Sequence, residues 1–230
     1  MGAAAQNKLY VILGSHACRS GMLMLEHKGI PYEPVTIPTG FQRALPALGF
    51  PGGTVPALRS DGRRVQTNRA IARYLDEVEP EPPLLPSDPG SRAEVEEAER
   101  WADEEFQMVA RRLGIAGIMR GGEVCPERGA RGRLGTLLWH RPRSRAIGGR
   151  GVARYFNVTP ETERRLLEEL PSRLDRIDAW VEAGTLNGEE PNAADFAIAP
   201  SLALLLYRRD LEDEIRPRPA FGLVSRLLPG

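Results

Sequence analysis

The chain has 230 residues and a mass of 25.4 kDa, enough for one large domain or two small ones with a real core. Hydrophobic residues make up 41% and there are 24 glycines, a globular composition that excludes disorder over most of the length. Lysine plus arginine is 31 and aspartate plus glutamate is 31, so the zero net charge argues against a general nucleic-acid or membrane-surface binder.

Lys8 to Leu13 (KLYVIL) is a β-rich apolar run ended by Gly14, and the following SHACRSGMLMLEHKG, closing on Gly29, predicts a helix. Tyr32 to Ile37 predicts a second short strand, parallel to the first through a right-handed βαβ crossover. After a Pro/Gly-rich stretch, Pro56 to Arg59 and Arg63 to Gln66 flank Ser60-Asp61-Gly62, and the Asp-Gly pair predicts an antiparallel hairpin. Asn68 is placed to cap a helix that carries Ala70, Ile71, Tyr74 and Leu75 on one stripe.

The proline-rich segment Glu79 to Ser91 (EPEPPLLPSDPGS) reads as a linker, which sets domain bounds at 1–79, 80–91 and 92–230. Beyond it no strand pattern stands out. Ser91 and Glu94 form a capping-box pair ahead of Val95, Ala98, Trp101, Ala102, Phe106 and Val109 at helical spacing. A later helix carries Leu166, Leu170, Leu174, Ile177 and Val181, with Pro171 expected to kink it and Gly184 to stop it. Asn192 and Asp195 start a nearly all-apolar helix, Phe196 to Tyr207, which has to be buried on most sides. That run is interrupted by Pro200 and Ser201 and falls short of the ~18 apolar residues of a spanning helix, so no membrane span is expected.

The N-terminal segment reads as a strand rather than a leader, so no signal peptide is expected. Two cysteines, Cys18 and Cys125, are too few for a disulfide scaffold or a cysteine zinc site, and a reducing cytoplasm is the expected setting. Residues 111 to 154 hold eleven arginines against Glu123 and Glu127. That excess reads as an anion-binding surface or as a solvated connection facing the acidic helix Glu94 to Glu105. Trp139 alone among Phe, Trp and Tyr falls between the arginines, not the repeated stacking aromatics that single-strand binders need, which favours the connection.

Chemistry concentrates at the start of the first helix. Ser15-His16-Ala17-Cys18 lies where unpaired backbone N–H groups and the helix dipole stabilise an anion such as a thiolate. In thioredoxin-type folds this corner holds C-x-x-C; here Ser15 takes the first position and Cys18 the fourth. Serine cannot exchange disulfides, but its hydroxyl can donate to the sulfur of a bound thiol. Cys18, within the first turn, is expected to lie back toward the core as a small apolar residue. Val55-Pro56, just before the third strand, stands where such folds carry a cis peptide whose preceding residue pairs with an extended peptide. His16 is expected to face solvent rather than lend a proton, and His27 and His140 to lie on the surface. Tyr10 sits too deep on its strand for a role at the corner. Trp101, Phe106 and Trp139 are candidate pocket residues, though the spacing of the first two fits core packing.

Four segments carry a family resemblance. SHACRSGMLMLEHKGIPYE, GGTVPAL, QTNRAIARYLDE and PNAADFAIAPSLALL together resemble the cytosolic glutathione S-transferases, over roughly Lys8 to Met108 and Pro160 to Leu206. The resemblance implies a thioredoxin-like α/β domain followed by an all-helical domain. It further implies a cytoplasmic homodimer acting in detoxification, with Ser15 stabilising the thiolate of glutathione or another low-molecular-weight thiol. Val55, Pro56, Thr67 and Asn68 would bind that thiol, and the second substrate would be an apolar electrophile. No metal, permanently bound cofactor, nucleic acid or membrane is implied. Thr67 stands where the family has glutamate or glutamine and Asn68 where it has serine, which weakens the hold on the γ-glutamyl end. Two other readings stay open: a weak or inactive binding protein on the same fold, and a thiol-disulfide reductase using Cys18.

Overall fold

The computed structural model describes residues 7–120 and 150–229. Cys125, Trp139, His140 and most of the arginine-rich segment lie outside the described residues. Strand β1 (Lys8–Val11) alternates half-buried and buried positions, with Leu9 and Val11 turned inward. Gly14 at φ +71 turns the chain out of the strand, and Ser15 caps helix α1 (His16–His27). Gly29, at φ +63, lies just beyond the helix end, a conformation that favours glycine.

Strand β2 (Glu33–Thr36) pairs parallel with β1, and strands β3 (Ala57–Ser60) and β4 (Arg63–Gln66) complete an antiparallel hairpin. Asp61 and Gly62 both have positive φ, +47 and +81, as the tight hairpin turn requires. The sheet order is β2-β1-β3-β4. Between β2 and β3 runs a 3-10 segment, Phe41–Leu48.

Helix α2 (Asn68–Val78) is capped by Thr67, not by Asn68: the Thr67 Oγ1 accepts the Ala70 N–H at 3.3 Å. Asn68 is already helical, and its side chain turns inward. The next cap also falls earlier than expected. Helix α3 (Pro89–Trp101) starts within the proline-rich stretch, where Asp88 accepts the Ser91 N–H at 2.8 Å and Pro89 occupies the first turn. Glu94 is then free of capping and accepts from the Thr185 hydroxyl at 3.1 Å.

A π-helical turn, Ala102–Phe106, joins α3 to α4 (Gln107–Arg120). Helices α5 (Arg150–Tyr155), α6 (Pro160–Glu182), α7 (Ala193–Leu205), α8 (Glu212–Ile215) and α9 (Phe221–Leu227) follow. Pro171 lies inside α6, which is assigned as helix without a break, and Gly184 at φ +79 lies just past its end. The Asn192–Asp195 capping box at α7 is complete in both directions, and every residue of the helix except Ala197 is buried.

Helix α7 packs against α1, α3, α4 and α9, so one apolar core runs from Leu9, Leu25 and Leu75 of the α/β part to Phe196, Leu202 and Leu113 of the helical part. Trp101 and Phe106 stack at 5.2 Å inside this core, as their spacing predicts. Lys28 adds a polar tie at the end of α1. Its fully buried ammonium meets Asp76 at 2.7 Å and donates to the Glu79 and Pro80 carbonyls, while Asp76 accepts the Leu84 and Leu85 N–H groups.

Candidate functional site

At the N-terminus of α1 the half-buried Ser15 uses its hydroxyl oxygen to accept the Cys18 N–H at 3.3 Å. An oxygen that accepts from the backbone keeps its own O–H to donate elsewhere. The first backbone N–H groups of the helix have no intrahelical acceptor, so dipole and hydroxyl serve the same space. Cys18 is 1% exposed, as its position predicts. Its Sγ accepts the Ile12 N–H at 3.4 Å, and burial pushes the thiol pKa up despite the Ser15 hydroxyl and the Arg111 charge.

His16 does not face solvent. Only 3% exposed, it bonds through Nε2 to the Gln107 carbonyl at 3.2 Å, and burial with the nearby Arg111 lowers its pKa to about 3. The reason is the approach of α4, whose first turn covers the corner. His27 is half-buried rather than on the surface, with its ring 5.3 Å from that of Phe196.

The Val55-Pro56 peptide is cis, as is Glu81-Pro82. Neither the N–H nor the C=O of Val55 is hydrogen-bonded among the described residues. The loop before it is held by Gln66, whose Oε1 accepts the Gly52 N–H at 2.6 Å and whose Nε2 donates to the Gly52 and Thr54 carbonyls at 2.7 and 2.6 Å. Both amide atoms are thus committed, and Gln66 has no free group to offer in place of Thr67.

Pro56 and Asn68 meet α1 at one point. A Cβ on Gly21 would lie 3.3 Å from the Pro56 ring and 3.4 Å from the Asn68 Oδ1, so glycine permits the approach. Asn68 donates to the Ala17 carbonyl at 3.0 Å, and its buried Oδ1 has no partner among the described residues. Thr67 holds φ +78, a region unfavourable for a β-branched residue. Pro56 and Asn68 therefore adjoin α1 at Ala17 and Gly21, within two turns of Ser15.

Facing them from α4 is a ladder of polar side chains. Gln107 donates weakly to Asp103 at 3.4 Å and accepts from Arg111 at 2.9 Å, and the Arg111 guanidinium lies 5.2 Å from the centre of the Phe156 ring. Within its arginine-rich stretch Arg111 is set apart only by its place two helical turns from Asp103, on the same face. Tyr10 points to the other side of the sheet, where its ring meets Phe50 at 5.4 Å. The concavity there, lined by Tyr10, Leu48, Gly49, Phe50, Arg59 and Arg64, is away from Ser15. Among the described residues, no cluster of His, Cys, Asp and Glu could hold a metal ion, and no helix is long and apolar enough to cross a membrane.

A four-stranded mixed sheet with a cis-proline before β3, a serine-capped first helix and a second half that is helical among the described residues defines a thioredoxin-like domain joined to a helical one. Residues 9–83 match the family model described as glutathione S-transferase, N-terminal domain. It is 36% identical over 97 residues to protein LigF of Sphingobium sp., covering 40% of this chain and 38% of that protein. It is 40% identical over 92 residues to glutathione S-transferase Z2 of Arabidopsis thaliana, covering 39% and 41%. The chain thus spans about two fifths of the length of these curated relatives. A glutathione S-transferase from Rhodospirillum rubrum superposes with a TM-score of 0.67 at 22% identity, over 97% of this chain and 88% of that one, a likeness of fold.

Proposed function

We propose that the protein is a transferase that activates glutathione, or a related low-molecular-weight thiol, at Ser15 and joins it to an electrophile with an apolar body. The supporting observation is the place of Ser15 at the α1 N-terminus: its oxygen accepts the Cys18 N–H, which leaves the O–H able to donate to a bound sulfur. Moving a thiol from pKa ~8.5 to ~6.5 takes about 2.7 kcal/mol, within reach of one charge-assisted hydrogen bond plus the helix dipole. The open Val55 N–H and C=O pair with the backbone of the thiol's cysteinyl residue, while Thr67 and Asn68 lie beside its γ-glutamyl end. The thiol proton leaves to solvent. The thiolate then attacks the electrophilic carbon, and with an aryl halide the halide departs as its anion.

The reading includes a cytoplasmic homodimer, checked by sedimentation at micromolar concentration, where a 25 kDa species would count against it. A weak or inactive binding protein is favoured by one observation: the Thr67 oxygen accepts the Ala70 N–H and the Asn68 Nδ2 donates to the Ala17 carbonyl, which leaves a short neutral hydroxyl and one amide oxygen where the family carries an acid or a longer amide. A Cys18-dependent reductase is disfavoured by burial of that thiol. Retention on immobilised glutathione followed by turnover of 1-chloro-2,4-dinitrobenzene decides between them. Ser15→Ala is expected to lower turnover about 10- to 100-fold, and Cys18→Ala to leave it within a few fold. The reverse ranking would establish a cysteine-dependent protein, and retention without turnover a binder.

A further inference from the structure

Among the described residues, Arg111 beside the α1 corner has no ion-pair partner. Arg111 is half-buried on α4, close enough for its charge to act on both His16 and Cys18. One of its guanidinium nitrogens donates to Gln107, and the Phe156 ring lies against its face. Its other N–H groups have no hydrogen-bond acceptor among the described residues. Asp103, the carboxylate on the same helix face, is bonded to Gln107 and acts on Arg111 only at longer range, as Tyr155 does. Arg69, in turn, is directed to Glu99 and Glu104 of α3 and the π turn. No carboxylate among the described residues comes within ion-pair distance of Arg111, although burial already disfavours its charge.

A desolvated guanidinium without a counter-ion is stabilised by an occupant that brings one. The planar fork matches two oxygens on one centre better than a single sulfur, and the thiol already has the Ser15 hydroxyl and the helix N-terminus. Arg111 also stands on the helical-domain side of the corner, on the α4 turn whose Gln107 meets His16 of α1, which leaves its donors to whatever lies between thiol and helices.

We infer that Arg111 is a specificity residue that binds a carboxylate on the second substrate, so that the electrophiles used are anionic compounds with a planar apolar body resting against Phe156. The inference rests on the transferase reading for its placement, but the anion site is measurable without turnover.

The first experiment compares 4-chloro-3-nitrobenzoate with 4-chloro-3-nitrobenzamide as glutathione acceptors, each rate divided by its uncatalysed rate. The wild type is expected to prefer the carboxylate about 10- to 100-fold in kcat/KM, Arg111→Gln to lose that preference, and Arg111→Lys to keep part of it. Equal use of both acceptors by the wild type, or an unchanged preference in Arg111→Gln, overturns the inference. So does a rise in KM for glutathione in Arg111→Gln that is the same with both acceptors, because Arg111 would then hold a carboxylate of the thiol. The second experiment is calorimetric titration of wild type and Arg111→Gln with 3-nitrobenzoate and 3-nitrobenzamide, which have no leaving group. Selective binding of the benzoate by the wild type alone supports the anion site even if turnover is absent, an outcome that removes the transferase reading instead. Absence of that selectivity overturns the inference whatever the turnover. Matching thermal unfolding of wild type and variants shows that the variants are folded.

Discussion

Gln66 grips Gly52 from both sides, accepting its N–H at 2.6 Å and donating to its carbonyl at 2.7 Å. A side-chain amide here does the work of a neighbouring strand, pairing with the backbone of a loop that has none. Together with the bond to the Thr54 carbonyl, this holds the chain up to Val55. Gln66→Ala removes three hydrogen bonds at a site that is part-buried, at a cost of about 2–4 kcal/mol. Gln66→Glu is expected to be at least as destabilising, since a carboxylate would face two carbonyl oxygens. Urea midpoints measure both, and variants as stable as wild type would show that the loop holds its own shape.

His16 is neutral in the fold, with a pKa of about 3 against 6.5 unfolded. The unfolded chain therefore binds the extra proton first, so the contribution of this residue is whole above pH 6.5 and is lost as pH falls from there toward 3. Between pH 7.5 and 5 the loss is about 2 kcal/mol. His16→Gln keeps a donor for the Gln107 carbonyl and does not titrate. Chemical denaturation at the two pH values should show a smaller loss for the variant by about that amount; an identical loss in both proteins would mean that His16 is not buried neutral.

Lys28→Ala leaves Asp76 beside an empty site and takes a donor from the Glu79 and Pro80 carbonyls. Asp76 stays partly exposed and keeps two backbone partners, so the expected cost is about 2–4 kcal/mol rather than the upper end known for buried pairs. Lys28→Arg should not restore it, because the larger planar group does not fit a fully buried ammonium site. Rescue by arginine, seen as a wild-type Tm, would contradict this.

Thr67 combines a capping hydroxyl with a positive φ of 78°. Thr67→Gly relieves about 1–3 kcal/mol of backbone strain and loses only a few tenths as a cap. Thr67→Ala keeps the strain and loses the cap. The glycine variant is expected to be the more stable of the two by about 1–2 kcal/mol, read from urea unfolding, and the opposite order would place Thr67 outside this backbone region.

Elements whose signals are local were legible in the residues themselves. The Asp61-Gly62 hairpin, the Asn192–Asp195 box and the helix stop at Gly184 each depend on two or three neighbouring positions. The Ser15 corner and the cis peptide at Val55 were legible through family likeness and order along the chain. Caps were missed where two candidates adjoin: Thr67 outranks Asn68 because Asn68 is drawn inward to Ala17, and Asp88 outranks Ser91 because Pro89 suits the first helical turn. His16 and Arg111 were misjudged or overlooked for a different reason. Their surroundings are made by α1 and α4, which lie some 90 residues apart, and no local pattern encodes that meeting.

The π turn at Ala102–Phe106 decides which residues α4 shows to that corner. One added residue advances the helix face by about 100°, so a rod that shows Glu99 to Arg73 goes on to present Gln107 to His16, with Arg111 bonded to Gln107 one turn on. Removing a single residue from this turn would leave both helices intact while rotating a different set of side chains into view. A one-codon change in length would thus re-aim Gln107 and Arg111 with no substitution on either helix.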